Sequence, residues 1–192
     1  MAFNKVRKAL REATTEVHLR IQAHPLLLTL AGAGLTPAGY RQALEVLYGV
    51  HAAADRALAE QWPQRRPRAP MIAADLAVLG GGPIEPAIAD TLPAFRSHAG
   101  FLGGRYVIDG SAFGGLALLG NIRRVLNLDA TNGAGFFSGG SLDTTAEWRS
   151  LLAMLEDLNT SGERDEACRA AVACFEAIKR WIDHCATAGP AA

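Results

Sequence analysis

His18 is the side chain in this sequence best placed to do chemistry. Arg7, Arg11, Thr14, His18 and Gln22 recur at steps of four, three, four and four, a spacing that lines them up along one helix. Beside them runs an apolar stripe, Val6, Leu10, Ala13, Val17 and Ile21, at the same steps. The imidazole therefore stands at the stripe's margin, with two arginines on one side and an amide one turn further on. A neutral imidazole there could ligate a metal, and the arginines could meet carboxylates in charge-assisted pairs. The plainer reading is a half-buried histidine on a surface helix, the commoner fate of this residue type. His51 is a rival. It falls mid-stripe with Tyr40, Leu44, Leu47, Ala54 and Leu58, which suggests a core histidine with a hydrogen-bond partner.

The second chemical feature is a helix that keeps its side chains short. Arg105 to Leu126, RYVIDGSAFGGLALLGNIRRVL, is apolar enough for a continuous helix, yet it contains Gly110, Gly114, Gly115 and Gly120, with Gly103 and Gly104 just before. Each interior glycine costs about 1 kcal/mol relative to alanine, so a bare backbone face must return something. Gly103, Gly110 and Gly114 share a face. Two uses fit equally: close packing of a second helix, or close approach of a flat ligand. Set opposite an imidazole, the second use suits a metal-centred macrocycle whose carboxylates could meet the arginine row.

Other chemistries lack their motifs. GSAFGG does not have the glycine spacing of a serine-hydrolase elbow. The Gly80-Gly81-Gly82-Pro83 run is not followed by the Gly-Lys-Ser/Thr of a phosphate loop, and no strand precedes the glycines as a dinucleotide fingerprint requires. No H-E-x-x-H, E-x-x-H pair or Cys/His spacing suggests a zinc or di-iron site. Lys+Arg and Asp+Glu both total 19 in 192 residues, which argues against a nucleic-acid groove. Cys168, Cys174 and Cys185 are an odd, late cluster, expected as reduced thiols and so suited to the cytoplasm. No run has signal-peptide or transmembrane character, and the protein is expected to be cytoplasmic without membrane contact.

The elements that must position these residues are helices. Periodicity predicts one over 4–23 closed by Pro25, then LLLTLAGAG as an apolar turn and loop. Thr36-Pro37 starts a helix that runs to about Gln61. The arginines of WPQRRPRAP (62–70) are expected in a solvated loop. Short helices follow over 71–79 and 84–92, then the glycine-bearing helix from near Phe95 to Leu126. Asn127 to Thr144 is loop, 145–158 is helix, NTSGE is a connector, and a last helix spans 164–185. Residues 1–3 and 187–192 are expected to fray. The fold class is all-α, a compact multi-helix bundle forming a single domain over 1–192.

Three patches resemble the bacterial heme oxygenases, particularly the type found beside bacteriophytochromes. LREATTEVHLRIQAHPLL (10–27) is similar to their proximal helix, YVIDGSAFGG (106–115) to their distal helix, and GAGFFSGG with EWRSLL (133–152) to the loop and helix that follow. The resemblance implies an all-helical heme oxygenase-like bundle with heme, at once substrate and cofactor, between the first helix and the distal helix. It implies cleavage of heme with O2 and reducing equivalents to biliverdin, CO and ferrous iron. His18 would be the iron ligand. Arg11 and Tyr106 would contact propionates, with Lys179 and Arg180 as C-terminal candidates. Gly110 and Gly114, with Ser111, would lie over the heme face and leave room for dioxygen and an ordered water; Gly115 and Phe113 would complete that wall.

Departures from the family pattern occur at three places. Gln22 stands where a glutamate is frequent; an amide can still accept from the imidazole N–H but leaves the ligand less basic. Ala112 has no polar side chain where many relatives do, and Phe113 is bulkier than usual. The partners implied are heme, an electron donor (a ferredoxin or a reductase) and a phytochrome that receives biliverdin, with no nucleic acid. The alternatives weighed beside the enzyme are a non-catalytic heme carrier, store or sensor, and a thiaminase-like relative.

Overall fold

The computed structural model describes residues 5–80, 92, 93, 95–139 and 144–188. Among them, α1 spans Lys5–Gln22, α2 Pro25–Ala31, α3 Pro37–Ala59, α4 Ala69–Val78, α5 His98–Leu126, α6 Thr144–Glu156 and α7 Ser161–Ala188. The described residues contain no strand, only isolated bridges around Asp129.

α1 buries Val6, Leu10, Thr14, Val17 and Ile21. The buried stripe thus takes Thr14 in place of the expected Ala13, which is exposed. Burial is tolerated because the Thr14 hydroxyl donates to the Leu10 carbonyl, 2.8 Å away. The expected turn and loop after α1 is a helix over Pro25–Ala31. Pro25 occupies its first turn and the His24 Nδ1 accepts the Leu26 N–H at 3.2 Å, so this proline opens a helix more than it ends one. Thr36 caps α3, accepting from the Gly39 N–H at 3.1 Å.

α5 starts later than Phe95, where Ser97 Oγ accepts the Gly100 N–H at 3.0 Å. It ends at Asn127, which takes the left-handed conformation, φ 57°. α7 begins inside the expected NTSGE connector. There the Thr160 Oγ1 accepts the Glu163 N–H at 3.2 Å and Glu163 Oε2 accepts the Thr160 N–H at 2.9 Å, the reciprocal pair of a capping box. α7 also continues through Thr187 and Ala188, placed in the frayed tail by the sequence. Most of the suggested 84–92 helix lies outside the described residues.

α7 is the central post, packed against α1, α3 and α5. Trp181 locks it to α3: its Nε1 donates to the Val46 carbonyl at 2.9 Å, and a Cβ on Gly49 would meet the indole at 2.6 Å. α1 and α7 run parallel, since His18 meets Phe175, Arg20 meets Glu176 and His24 meets Asp183. α1 and α5 make no extensive contact with each other; each rests on α6 and α7.

Candidate functional site

The glycines of α5 divide into two groups with different surroundings. A Cβ on Gly103 would lie 2.2 Å from the Ala167 carbonyl oxygen, and one on Gly104 would lie 2.2 Å from the Phe95 ring. These two glycines let α7 and Phe95 approach, which is the packing use of small residues. Further along, a Cβ on Gly114 or Gly120 would meet nothing within 4 Å, and one on Gly110 only the Trp148 ring at 3.5 Å. Gly115 turns toward Phe137, 3.5 Å from its Cβ position. The shared face expected for Gly103, Gly110 and Gly114 is therefore closed by α7 in the first half of the helix and open in the second.

Burial along α5 makes the same division. Ala99 to Asp109 are buried apart from Tyr106, whereas no residue from Gly110 to Asn121 is. Phe113 and Leu116 are left 38% and 41% exposed, so about three turns of helix keep an open face, while Leu118 and Leu119 pack on the core. Trp148 of α6 closes one side, with ring centroids 5.6 Å from both Tyr106 and Phe113. Ser111 Oγ donates to the Ile108 carbonyl at 2.7 Å, so its proton is engaged and the oxygen remains an acceptor.

His18 stands on the exposed side of α1, stacked on Phe175 of α7 with centroids 5.3 Å apart and planes 27° apart. Desolvation beside that ring lowers its pKa from 6.5, which favours the neutral imidazole. Among the described residues it has no hydrogen bond and no ion pair, and the expected bond to Gln22 is not formed. The donor set is one neutral nitrogen with a free lone pair.

The charged candidates fall at opposite ends of His18. Arg7 and Arg11 lie toward the start of α1, without an ion pair among the described residues. Both guanidiniums act on the Tyr106 hydroxyl: burial raises its pKa and the two cations pull it back down. Arg11 and Tyr106 are thus brought to one pole. Lys179 is at the other, where its ammonium donates to both carboxylate oxygens of Asp183 at 3.0 and 2.7 Å. The structure does not bring Lys179 together with Arg11, because α7 runs parallel to α1 and carries residue 179 past His18.

Sequence reasoning missed the polar cluster beneath α5. Arg65 and Arg68, expected in a solvated loop, are buried. Asp55 gathers them: it pairs with Arg65 and accepts the N–H groups of Arg68 and Ala69 at 2.9 and 2.8 Å. Arg105 donates through Nε to Asp109 Oδ2 at 3.0 Å and lies 3.6 Å over the Trp62 ring. Opposite charges at positions 105 and 109 were a readable i,i+4 signal. His51 is buried with Phe136 edge-on at 4.9 Å. Its expected partner is not found at Nδ1; His51 Nδ1, Arg65 Nη2 and Asp109 Oδ1 are all buried without a hydrogen bond. Burial, then the charges of Arg68 and Arg65, hold the His51 pKa well below 6.5, so this rival imidazole is neutral and enclosed.

The loop after α5 is fixed by Asp75 of α4. Its carboxylate accepts the Gly135 and Phe136 N–H groups at 2.9 and 2.8 Å, and Tyr40 donates to the Gly133 carbonyl at 2.8 Å. This seats Phe136 on His51 and Phe137 beneath Gly115.

The heme oxygenase family model matches residues 4–184 of the sequence. The chain belongs to the heme oxygenase family. Its fold is similar to that of the NO- and CO-bound heme oxygenase from Neisseria meningitidis, with a TM-score of 0.69 and 22% identity over 97% of this chain and 94% of that one. No curated protein matches the chain. As a heme oxygenase it is an enzyme that degrades heme, which is its substrate and its prosthetic group.

The donor set of this heme oxygenase suits such a group. Among the described residues no three His, Cys, Asp or Glu side chains converge to cage a metal. An iron already held by a macrocycle would need only one further protein ligand, which His18 could offer. The open turns at Gly114 and the unpaired Arg7 and Arg11 meet the other needs of a flat ring with carboxylates. No helix among the described residues is long and apolar enough to cross a membrane.

Proposed function

We propose that this heme oxygenase seats heme between α1 and the second half of α5. The observation that carries the assignment is the open face of α5 around Gly114, where Phe113 and Leu116 are left exposed and nothing lies within 4 Å of a Cβ at Gly114. When bound, heme supplies the iron that activates dioxygen and the ring that is opened to biliverdin, CO and ferrous iron. His18, neutral and without another partner, would hold the iron through a ring nitrogen. Arg11, Tyr106 and Arg7 receive the carboxylates. Gly110 and Gly114 keep the opposite wall bare, which leaves space for dioxygen and an ordered water. Ser111, its proton engaged, accepts from that water, and Phe113 with Trp148 screens the edge from solvent. Gly115 supports the wall from behind through Phe137.

Reducing equivalents come from a ferredoxin or a reductase, and biliverdin passes to a phytochrome; the likeness of YVIDGSAFGG and GAGFFSGG to the bacteriophytochrome-associated type supports this reading. Residues 1–192 act as a single domain, in the cytoplasm, where thiols such as Cys168, Cys174 and Cys185 stay reduced. The test is hemin titration followed by reduction in air. Hemin binds at one equivalent with a Soret band that His18→Ala shifts or weakens, and a reductant converts that band into biliverdin absorption. A spectrum abolished by His51→Ala and untouched by His18→Ala would overturn the ligand assignment.

A further inference from the structure

A flat ring held by one axial nitrogen can turn in its own plane about that bond. What stops it is the charge placed around its rim, and here the rim has two cationic ends. Arg7 and Arg11 lie along α1 before His18, about 10 Å from it at Arg11 by helical rise. Lys179 lies one turn beyond Phe175, the ring stacked on His18, and so stands past His18 in the other direction. Either end could attract the ring's carboxylates, and the two would present different edges to the reacting wall of α5.

The two ends differ in how their cations are partnered. At the first, Arg7 and Arg11 have no carboxylate partner among the described residues, and Lys8 alone is tied, to Glu12 at 3.7 Å. At the second, every cation facing the α1–α7 seam is matched. Asp183 takes both contacts from Lys179 and lies 3.7 Å from His24 Nε2. Arg20 is paired with Glu176 and reaches Glu16 at 4.0 Å. Arg180 is turned about 140° around α7 from Phe175 and is exposed.

We propose that Asp183 is a specificity-determining residue: by engaging Lys179 it removes the competing cation, and heme seats in one in-plane orientation with its carboxylates toward Arg7, Arg11 and Tyr106. This rests on the seat proposed above. A ligand chooses between two orientations only by its differential interaction with them, and the Lys179–Asp183 pair lowers what the second orientation offers.

The test uses Asp183→Asn, Lys179→Ala and the double variant of the full chain. Seating is read from the hyperfine-shifted heme methyl resonances of the ferric cyanide complex, and the outcome of cleavage from the biliverdin isomers after a single turnover. Asp183→Asn is expected to show a methyl set absent from the wild type, at about one-tenth of the intensity or more, with a second bilin isomer in similar share. Lys179→Ala and the double variant should keep the wild-type pattern. A wild-type pattern in Asp183→Asn overturns the proposal, and so does a new set that survives in the double variant. Binding that does not depend on His18 overturns the seat itself, and with it this inference.

Discussion

Replacing the glycines of α5 by alanine, one at a time, separates packing from ligand space in a single helix. Every such change gains about 1 kcal/mol of helix propensity; what differs is the surroundings. At Gly103 the new Cβ would lie 2.2 Å from the Ala167 oxygen, 2.9 Å from its carbonyl carbon and 3.0 Å from its Cα. These are backbone atoms of α7, so relief requires the two helices to move apart along the extensive α5–α7 interface. Overpacking of this kind costs about 3 kcal/mol or somewhat more, leaving a net loss near 2 kcal/mol, or about 4–8 °C in Tm for a chain of this length. At Gly114 nothing lies within 4 Å, so the propensity gain stands and Tm rises by about 2–4 °C.

The heme-loaded protein should reverse that order. Gly114→Ala places a methyl in the space assigned to ligand, and its single-turnover biliverdin yield should fall well below the wild type. Gly120→Ala, also open but turned about 120° from Gly114, is the control: it should be as stable as Gly114→Ala and turn over normally. Calorimetry of the heme-free protein and stopped-flow absorbance of the loaded one read the two effects. The reasoning fails if Gly114→Ala destabilises the heme-free chain as Gly103→Ala does, or if it degrades heme at the wild-type rate.

His51 should make stability depend on pH. Its folded pKa lies well below 6.5 because burial and the charges of Arg68 and Arg65 oppose protonation; below pH 6.5 the unfolded chain takes up a proton that the folded one refuses. Stability from this residue is whole above pH 6.5 and lost in acid at about 1.4 kcal/mol per pH unit. Urea unfolding between pH 7.5 and 5 should show a slope shallower by that amount in His51→Gln; an unchanged slope counts against the assignment. Asp75→Asn keeps a single good acceptor for two half-buried N–H groups, so a loss of about 1–2 kcal/mol is expected, with faster hydrogen exchange at Gly135 and Phe136; protection equal to the wild type would show that the carboxylate does not hold the loop. Burial pushes the Cys174 thiol up to about 12, while Cys168 and Cys185 are half-buried. A thiol reagent at neutral pH should label those two and reach Cys174 only on unfolding; prompt labelling of all three would contradict the packing of α7.

Much of this molecule is local in origin, and local features could be read from residue order. The apolar stripe of α1, the Thr36-Pro37 start of α3 and the glycine-bearing helix follow from periodicity and capping, which need only neighbours in sequence. The T-x-x-E pair at Thr160 and Glu163 was equally local, and it would have placed the start of α7 correctly. The family resemblance of the three patches pointed to heme, and His18 stands on the expected face of its helix. Other features depended on what lies across space. Arg65 and Arg68 look like solvated loop residues until Asp55, about one turn before the end of α3, pairs with the Arg65 guanidinium and accepts the Arg68 backbone N–H.

Lys179 is a carboxylate contact by residue type; that it stands past His18, away from Arg11, is set by the parallel run of α1 and α7, a tertiary fact. The glycines of α5 are the clearest case. Their spacing put Gly103, Gly110 and Gly114 on one face, and residue type alone gave that face two equal uses. Only the placement of α7 against Gly103, and the lack of any neighbour at Gly114, gives packing to one half of the helix and open space to the other. A missing side chain has no local signature of purpose; what fills the space it leaves is set by the chain that packs there, or does not.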